Sequence, residues 1–139
     1  AMAVPLIRKV KELIDPAKAV ILDVSPGTSC PVVEAVRDSD FCLLVTEPTP
    51  FGLNDLALAV EAMKKLDVPC GVLINRAGVG DDTVEQYCRD EGVPVLLHIP
   101  LDSDIARLYS RGTTLVDGMP EWRPAFQRLF RDMRDIASA

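Results

Sequence analysis

Four continuous apolar runs, each followed by a helix-like stretch, constrain the fold of this chain more than any other feature. They are Ala19-Val20-Ile21-Leu22-Asp23-Val24, Phe41 to Thr46, Cys70 to Asn75, and Val93 to Ile99. Runs without polar alternation suit strands covered on both faces, the situation of a parallel sheet. Helical stripes lie around them. Leu6, Ile7, Val10, Leu13 and Ile14, with Pro5 suited to an opening turn, predict a helix near residues 4–14. Leu53, Leu56, Ala57, Val60 and Met63 form a second stripe. Asp82-Thr83-Val84-Glu85 reads as a capping-box start with Gly92 as the stop, and Trp122, Phe126, Leu129, Phe130, Met133 and Ile136 belong to a last helix. Strands alternating with helices predict an α/β fold, an open parallel sheet of about four strands flanked by helices. The 139 residues amount to a single domain, with no internal repeat or clear linker.

The formal net charge of −6 argues against a nucleic-acid groove or an anionic membrane as the main partner. Arg123, Arg128, Arg131 and Arg134 alternate with apolar positions beside Asp132 and Asp135, the pattern of a solvated helix face. No apolar run approaches the ~20 residues that span a bilayer. The start has no signal-peptide pattern, and Cys30, Cys42, Cys70 and Cys88 are scattered without a CxxC pair. Those features predict a cytoplasmic protein with reduced, mostly buried thiols.

Ligands of open parallel sheets sit at the carboxyl ends of the strands. Four segments therefore matter: Asp23 to Cys30, Glu47 to Phe51, Asn75 to Gly80, and Pro100 to Asp104. All are rich in Pro, Gly and polar groups. A carboxylate at Asp23 can hold a Mg²⁺-bound water while the Gly27 loop moves against a phosphate. The same residues also read as an Asp capping the next turn, with Pro26-Gly27 as turn chemistry. Cys30 reads as a free thiol at a helix start, Cys42 and Cys70 as core, and His98 as structural, without a metal-ligand partner at recognisable spacing. Trp122 and the Phe residues at helical spacing read as core. Two other functional readings stay open: a complete receiver-like or flavodoxin-like module, and a non-catalytic α/β interaction domain. A receiver needs an acidic pair after its first strand and a Lys after its last; a flavodoxin needs a Thr/Ser-rich loop after its first strand. The sequence has neither.

Val20-Ile21-Leu22-Asp23-Val24-Ser25-Pro26-Gly27-Thr28 resembles the strand-Asp-x-x-Pro-Gly segment of the MinD/Mrp/ParA-type P-loop ATPases, their Walker B and switch II region. Val45-Thr46-Glu47-Pro48-Thr49-Pro50-Phe51-Gly52-Leu53 resembles the segment after that family's next strand. Leu73-Ile74-Asn75-Arg76 is similar to its strand ending in Asn-Arg, and Ile99-Pro100-Leu101-Asp102 to its Ile-Pro-x-Asp segment. The four motifs occur in the family's order over about residues 19–112. With Ser-Pro-Gly-Thr-Ser-Cys-Pro in the first, the wording most resembles the subgroup with an inserted ferredoxin domain.

The resemblance implies a partial P-loop NTPase fold of MinD-like type, spanning 1–139 as the C-terminal portion of an ATPase. It implies catalytic roles for Asp23, Pro26, Gly27 and Thr28, with Asp23 on Mg²⁺ through water, and nucleotide contacts from Asn75, Arg76, Pro100 and Asp102. Neither a Gly-rich loop nor its signature lysine occurs here; Lys9, Lys11, Lys18, Lys64 and Lys65 all lie in other settings. The expectation is therefore a nucleotide-binding half-domain, linked to iron–sulfur protein function and inactive without its P-loop half. ATP, Mg²⁺ and the 4Fe–4S clusters of a ferredoxin insert belong to the intact protein, a homodimer, and none is expected on this chain alone. Cys30 has a counterpart in the nitrogenase iron protein, a relative that carries a cluster-ligating Cys at similar spacing, but one cysteine cannot hold a cluster. In the family the strand ending at Asp23 pairs with the strand leading into the phosphate loop. Residues 19–24 are thus expected to present an unprotected edge, with self-association as a by-product.

Overall fold

The computed structural model describes residues 3–139. Three parallel strands, β1 (Cys42–Thr46), β2 (Cys70–Ala77) and β3 (Val95–Pro100), stand in that order with β2 in the centre. Helix α3 (Pro50–Leu66) joins β1 to β2, and α4 (Thr83–Glu91) joins β2 to β3. Two helices precede the sheet, α1 (Ala3–Lys11) and α2 (Cys30–Val36). After it come α5 (Ser103–Ser110), the short α6 (Leu115–Gly118), a 3-10 turn over Pro120–Trp122, and α7 (Arg123–Ala137). This is the parallel α/β architecture that the apolar runs predict.

Side chains alternate along a strand, so β2 feeds two cores. Val72 and Ile74 join Leu56 and Val60 of α3 and Val84 and Cys88 of α4. Leu73 points the other way, to Leu97 and Ile99 of β3, Ile105 of α5, Leu115 of α6 and Leu129 of α7. The sheet is the middle of three layers. A smaller cluster of Val36, Met63 and Val68 covers the end where β1 and β2 begin, with Cys42 and Cys70 against it.

The β1–α3 junction is tight. Thr49 caps α3 by accepting from the Gly52 N–H at 3.0 Å, and Pro50 occupies the first turn, where its missing N–H costs nothing. The buried Thr46 hydroxyl donates to the Gly52 carbonyl at 3.0 Å. A Cβ at Gly52 would run into the Glu47 carbonyl oxygen, so only glycine lets α3 start flush against the end of β1. At the start of α4 the expected cap shifts by one residue. Asp82 makes no side-chain cap bond, because its backbone (φ −90°, ψ 18°) is not the extended conformation that carries a cap side chain over the first N–H groups. Asp81 instead accepts from the Thr83 N–H at 3.2 Å and the Thr83 hydroxyl at 2.6 Å. Gly92 ends α4 in the left-handed conformation (φ 68°), as its position predicts.

The first apolar run departs from the expectation of four strands. Residues 19–24 pair with nothing among the described residues, and the sheet has three strands. Apolar character favours burial, but a strand forms only against a neighbour that completes its hydrogen bonds. Ile21 is 89% exposed, and only Val24 reaches the small cluster beside Cys42 and Leu44. Helix α1 stops at Lys11, short of the expected residue 14, and has no buried residue. Polar groups attach it to α2: Arg8 donates to both carboxylate oxygens of Glu34, at 2.8 and 3.3 Å, and the Lys11 ammonium donates to the Arg37 and Glu34 carbonyls at 2.6 and 3.1 Å.

Truncation should separate the two kinds of apolar residue. Ile74→Ala, at a side chain only 1% exposed, is expected to cost about 2–5 kcal/mol in urea unfolding. Ile21→Ala is expected to change stability by less than ~0.5 kcal/mol. Equal losses at the two positions would contradict this assignment of the core.

Candidate functional site

The carboxyl ends of the strands bring together part of the expected site. Asn75 of β2 pairs in register with Ile99 of β3, and Ala77 with Pro100, with the ladder broken between them at Arg76. Arg76 takes a left-handed backbone (φ 54°), uncommon for a residue with a Cβ. This bulge ends the regular ladder at Arg76, whose side chain is exposed. Its N–H donates to the Asn75 side-chain oxygen at 3.0 Å, which fixes that amide and leaves its NH₂ free to donate. The Arg76 guanidinium stands 3.6 Å from a carboxylate oxygen of Glu47, at the end of β1. Both groups are exposed, so the pair is worth at most about 1 kcal/mol.

Beyond Pro100 the chain remains attached to β2 through the Leu101 N–H, which donates to the Ala77 carbonyl at 3.0 Å. That contact delivers Asp102 to the same end of the sheet. One oxygen of Asp102 accepts from the Asp104 and Ile105 N–H groups at 2.7 and 3.2 Å, capping α5. Asn75, Arg76, Pro100 and Asp102 thus stand on neighbouring strand ends. The side chain of Asn75 alternates with Ile74 and so lies on the α5 face.

Asp23, Pro26, Gly27 and Thr28 are not part of this group. They lie in the exposed segment between α1 and α2, and no hydrogen bond or ion pair among the described residues joins them to Asn75 or Asp102. Gly27 has φ 111°, a backbone that strongly favours glycine, with open space around it. Asp23 makes no hydrogen bond or ion pair among the described residues, so both its oxygens are available. No group of three or more His, Cys, Asp or Glu side chains converges on a metal position among the described residues. The single carboxylate of Asp23 is a donor of the kind a hydrated Mg²⁺ accepts, since that ion takes one or two carboxylates and completes its shell with waters and phosphate oxygens.

The strand ends form an exposed ledge. A recess of about 240 Å³ lies on the opposite face, lined by Pro48, Ile74, Gly78, Gly80, Asp81 and Glu85. A Cβ on Gly80 would come within 2.5 Å of the Pro48 carbonyl, which explains how closely the loop after β2 approaches the loop after β1. A wider recess of about 490 Å³ lies between α5, the loop at Thr113 and α7, beside Tyr109 and Phe126. Neither includes Asn75 or Asp102.

Glu47 is the site residue that sequence reasoning missed. It lies inside a segment singled out by the strand-end rule, and its charge opposite to that of Arg76 was the available signal. His98 is exposed on β3, with Nε2 3.1 Å from Glu85 Oε1, and it carries no metal-ligand set. Cys30 opens α2 and is exposed, Cys88 is buried, and Cys42 and Cys70 are half-buried.

No family model matches the sequence. The crystal structure of the Pyrococcus furiosus cell division ATPase MinD superposes with a TM-score of 0.75 at 26% identity, over 97% of this chain and 59% of that one. The chain is related to the MinD/ParA-type P-loop ATPases. An iron–sulfur cluster carrier protein of Pyrococcus horikoshii is 31% identical over 121 residues, covering 70% of this chain and 40% of the relative. An uncharacterized protein of Methanocaldococcus jannaschii is 33% identical over 96 residues, 69% of this chain and 32% of the relative. This MinD-like chain therefore spans 32–40% of the length of these curated relatives.

The aspartates that precede α4 and α5, Asp82 and Asp102, differ in what they hold. Asp102→Ala is expected to cost about 1 kcal/mol by urea unfolding, because two N–H groups lose their acceptor. Asp82→Ala, which removes no cap bond, is expected to change stability by less than ~0.5 kcal/mol. The reverse order would show that α5 starts without its cap.

Proposed function

We propose that this chain is the nucleotide-base half of a MinD-like ATPase that serves iron–sulfur protein function, active only when joined to a P-loop half. The observation that supports this most is the gathering of Asn75, Arg76, Pro100 and Asp102 on neighbouring strand ends. Asn75 would take the base edge through its free amide NH₂, with Pro100 and Asp102 flanking it and the Glu47–Arg76 pair holding the bulge that orients Asn75. Asp23 would hold a Mg²⁺-bound water, and Gly27 would let the Pro26-to-Thr28 loop change conformation near a phosphate. ATP supplies the phosphoanhydride; this chain's residues orient the base and a metal-bound water. Phosphate affinity would come from the backbone N–H groups and lysine of a P-loop, of which this sequence has none.

The open edge of β1 supports the same reading. Val45 of β1 is 63% exposed, and no further strand among the described residues pairs with that edge. A strand leading into a phosphate loop would fit between residues 19–24 and this edge. The intact protein would be a homodimer with 4Fe–4S clusters in a ferredoxin insert. Similarity to iron–sulfur cluster carriers supports the iron–sulfur link, and the Ser25-to-Pro31 wording supports the ferredoxin-containing subgroup.

The isolated chain should show no ATP turnover and no micromolar ATP binding by calorimetry. Joined to a P-loop half of the MinD-like type, it should gain both. In that protein Asp23→Ala should abolish turnover while leaving binding within about tenfold, whereas Asn75→Ala should weaken binding by ~1–3 kcal/mol as a buried hydrogen bond is lost. Turnover by the 139 residues alone would overturn the proposal.

Self-association of the isolated chain through residues 19–24 follows from the same open edge, and light scattering over a concentration series should show it. A strictly monomeric profile at high concentration would count against the edge being adhesive.

A further inference from the structure

Two thiols stand side by side at the end of the sheet opposite the nucleotide ledge. Cys42 opens β1, Cys70 opens β2, and the two are partners in the parallel register. Both lie against the cluster of Val36, Met63 and Val68, so they share one face of the sheet. Both are free and half-buried.

In-register residues of parallel strands are related by a translation of about 4.8 Å, and with matching rotamers their sulfur atoms keep that separation. A cation held linearly between two thiolates, each no farther than about 2.3 Å, the length of a tetrahedral Zn–S bond, spans at most ~4.6 Å, close to the strand spacing. The strand spacing therefore suits a two-coordinate cation. No third His, Cys, Asp or Glu side chain converges with them among the described residues, and the Met63 thioether of the same cluster is a soft donor of the same class. Cys88 belongs to the neighbouring cluster under α4, against which Cys70 also packs, but it is not the register partner of either strand-opening cysteine. Zn²⁺ wants four ligands, and Mg²⁺ and Ca²⁺ want oxygen. Soft thiolates with low coordination number select Cu(I).

We propose that Cys42 and Cys70 form a two-thiolate binding site for a soft, closed-shell monovalent cation of the Cu(I) class. Binding is ligand exchange without redox change: two thiols and one Cu⁺ give one bis-thiolate complex of charge −1 and release two protons. The surroundings bear on that charge. Burial, with Cys70 beside it, pushes the Cys42 thiol up to about 11. A cation between the sulfurs removes the repulsion that opposes deprotonating both. Lys64, whose ammonium acts against the burial that raises Cys70, offsets part of the remaining negative charge. The site lies at the amino ends of β1 and β2, far along the strands from Asn75, so it does not rest on the nucleotide reading.

The test uses the full 139-residue chain with all four cysteines reduced, under anaerobic ascorbate, in competition with bicinchoninate for Cu(I). The expected result is one Cu(I) withheld per chain. Cys42→Ser and Cys70→Ser should each lower the affinity by at least ~100-fold, while Cys30→Ser leaves it unchanged. Should the serine variants fail to fold, Cys42→Val and Cys70→Val, which suit the apolar cluster, carry the same test, with circular dichroism confirming the fold. Because two protons leave per cation, affinity should rise about 100-fold per pH unit below the thiol range. X-ray absorption of the loaded protein should show two sulfur neighbours. Three outcomes would each overturn the proposal: no Cu(I) withheld, affinity retained in the Cys42 or Cys70 variants, or loss on replacing Cys30.

Discussion

The two parallel ladders of β2 are the constraint on which the rest of the structure depends. Only this strand has a neighbour on both sides, so its peptide groups are satisfied along both edges. Among the described strands only it supplies fully buried apolar side chains to both cores, Val72 and Ile74 toward α3 and α4, Leu73 toward α5 to α7. The helices lean on those residues, and the strand ends that carry Asn75 and Pro100 are aligned by the β2–β3 register. β1 has one ladder and one open edge, and its exposed Val45 marks the limit of the finished core. A change that weakens β2 would thus reach both cores and the ledge together, whereas the outer edge of β1 can vary alone.

The same logic explains what was legible in the sequence. Phe41 to Thr46, Cys70 to Asn75 and Val93 to Ile99 became strands because each finds a neighbour. Ala19 to Val24, equally apolar, did not. An apolar run encodes a preference for burial; the partner that completes a strand lies elsewhere in the chain or outside it, and no local pattern encodes it. The strand-end rule located Asn75, Pro100 and Asp102 because parallel topology alone determines which ends converge. It could not reveal the left-handed turn at Arg76, since arginine carries no propensity for positive φ, nor that Asp81 rather than Asp82 would cap Thr83. Both depend on backbone angles set by the neighbouring loops. The role of Glu47 was half visible: its place was singled out, but its partner became known only when β1 and β2 were laid side by side.

Nine of the thirteen large apolar residues exposed among those described occur by position 58, the other four being Val79, Leu101, Tyr109 and Phe130. The later part of the molecule, with two clusters packed on the sheet, resembles an ordinary finished domain surface; the earlier part resembles a face prepared for contact. Helix α1 sharpens the contrast. Its Leu6 and Val10 are open, as is Leu13 just beyond its end, and what attaches it to α2 is charge. The Arg8 guanidinium holds the Glu34 carboxyl below its ordinary range. A depressed carboxylate stabilises the folded contact above its unfolded value, and that contribution disappears as pH falls through the lower folded value. Such an attachment, with its Arg8 side open to solvent, is screened by salt. An amphipathic helix with no buried residue, attached by polar contacts next to an extended apolar segment and an unpaired strand edge, can be repositioned without breaking a core. The proposed joining of a P-loop half needs that property: the half that binds the base stays rigid around β2, and only α1 and residues 19–24 have to change their contacts when the sheet is completed.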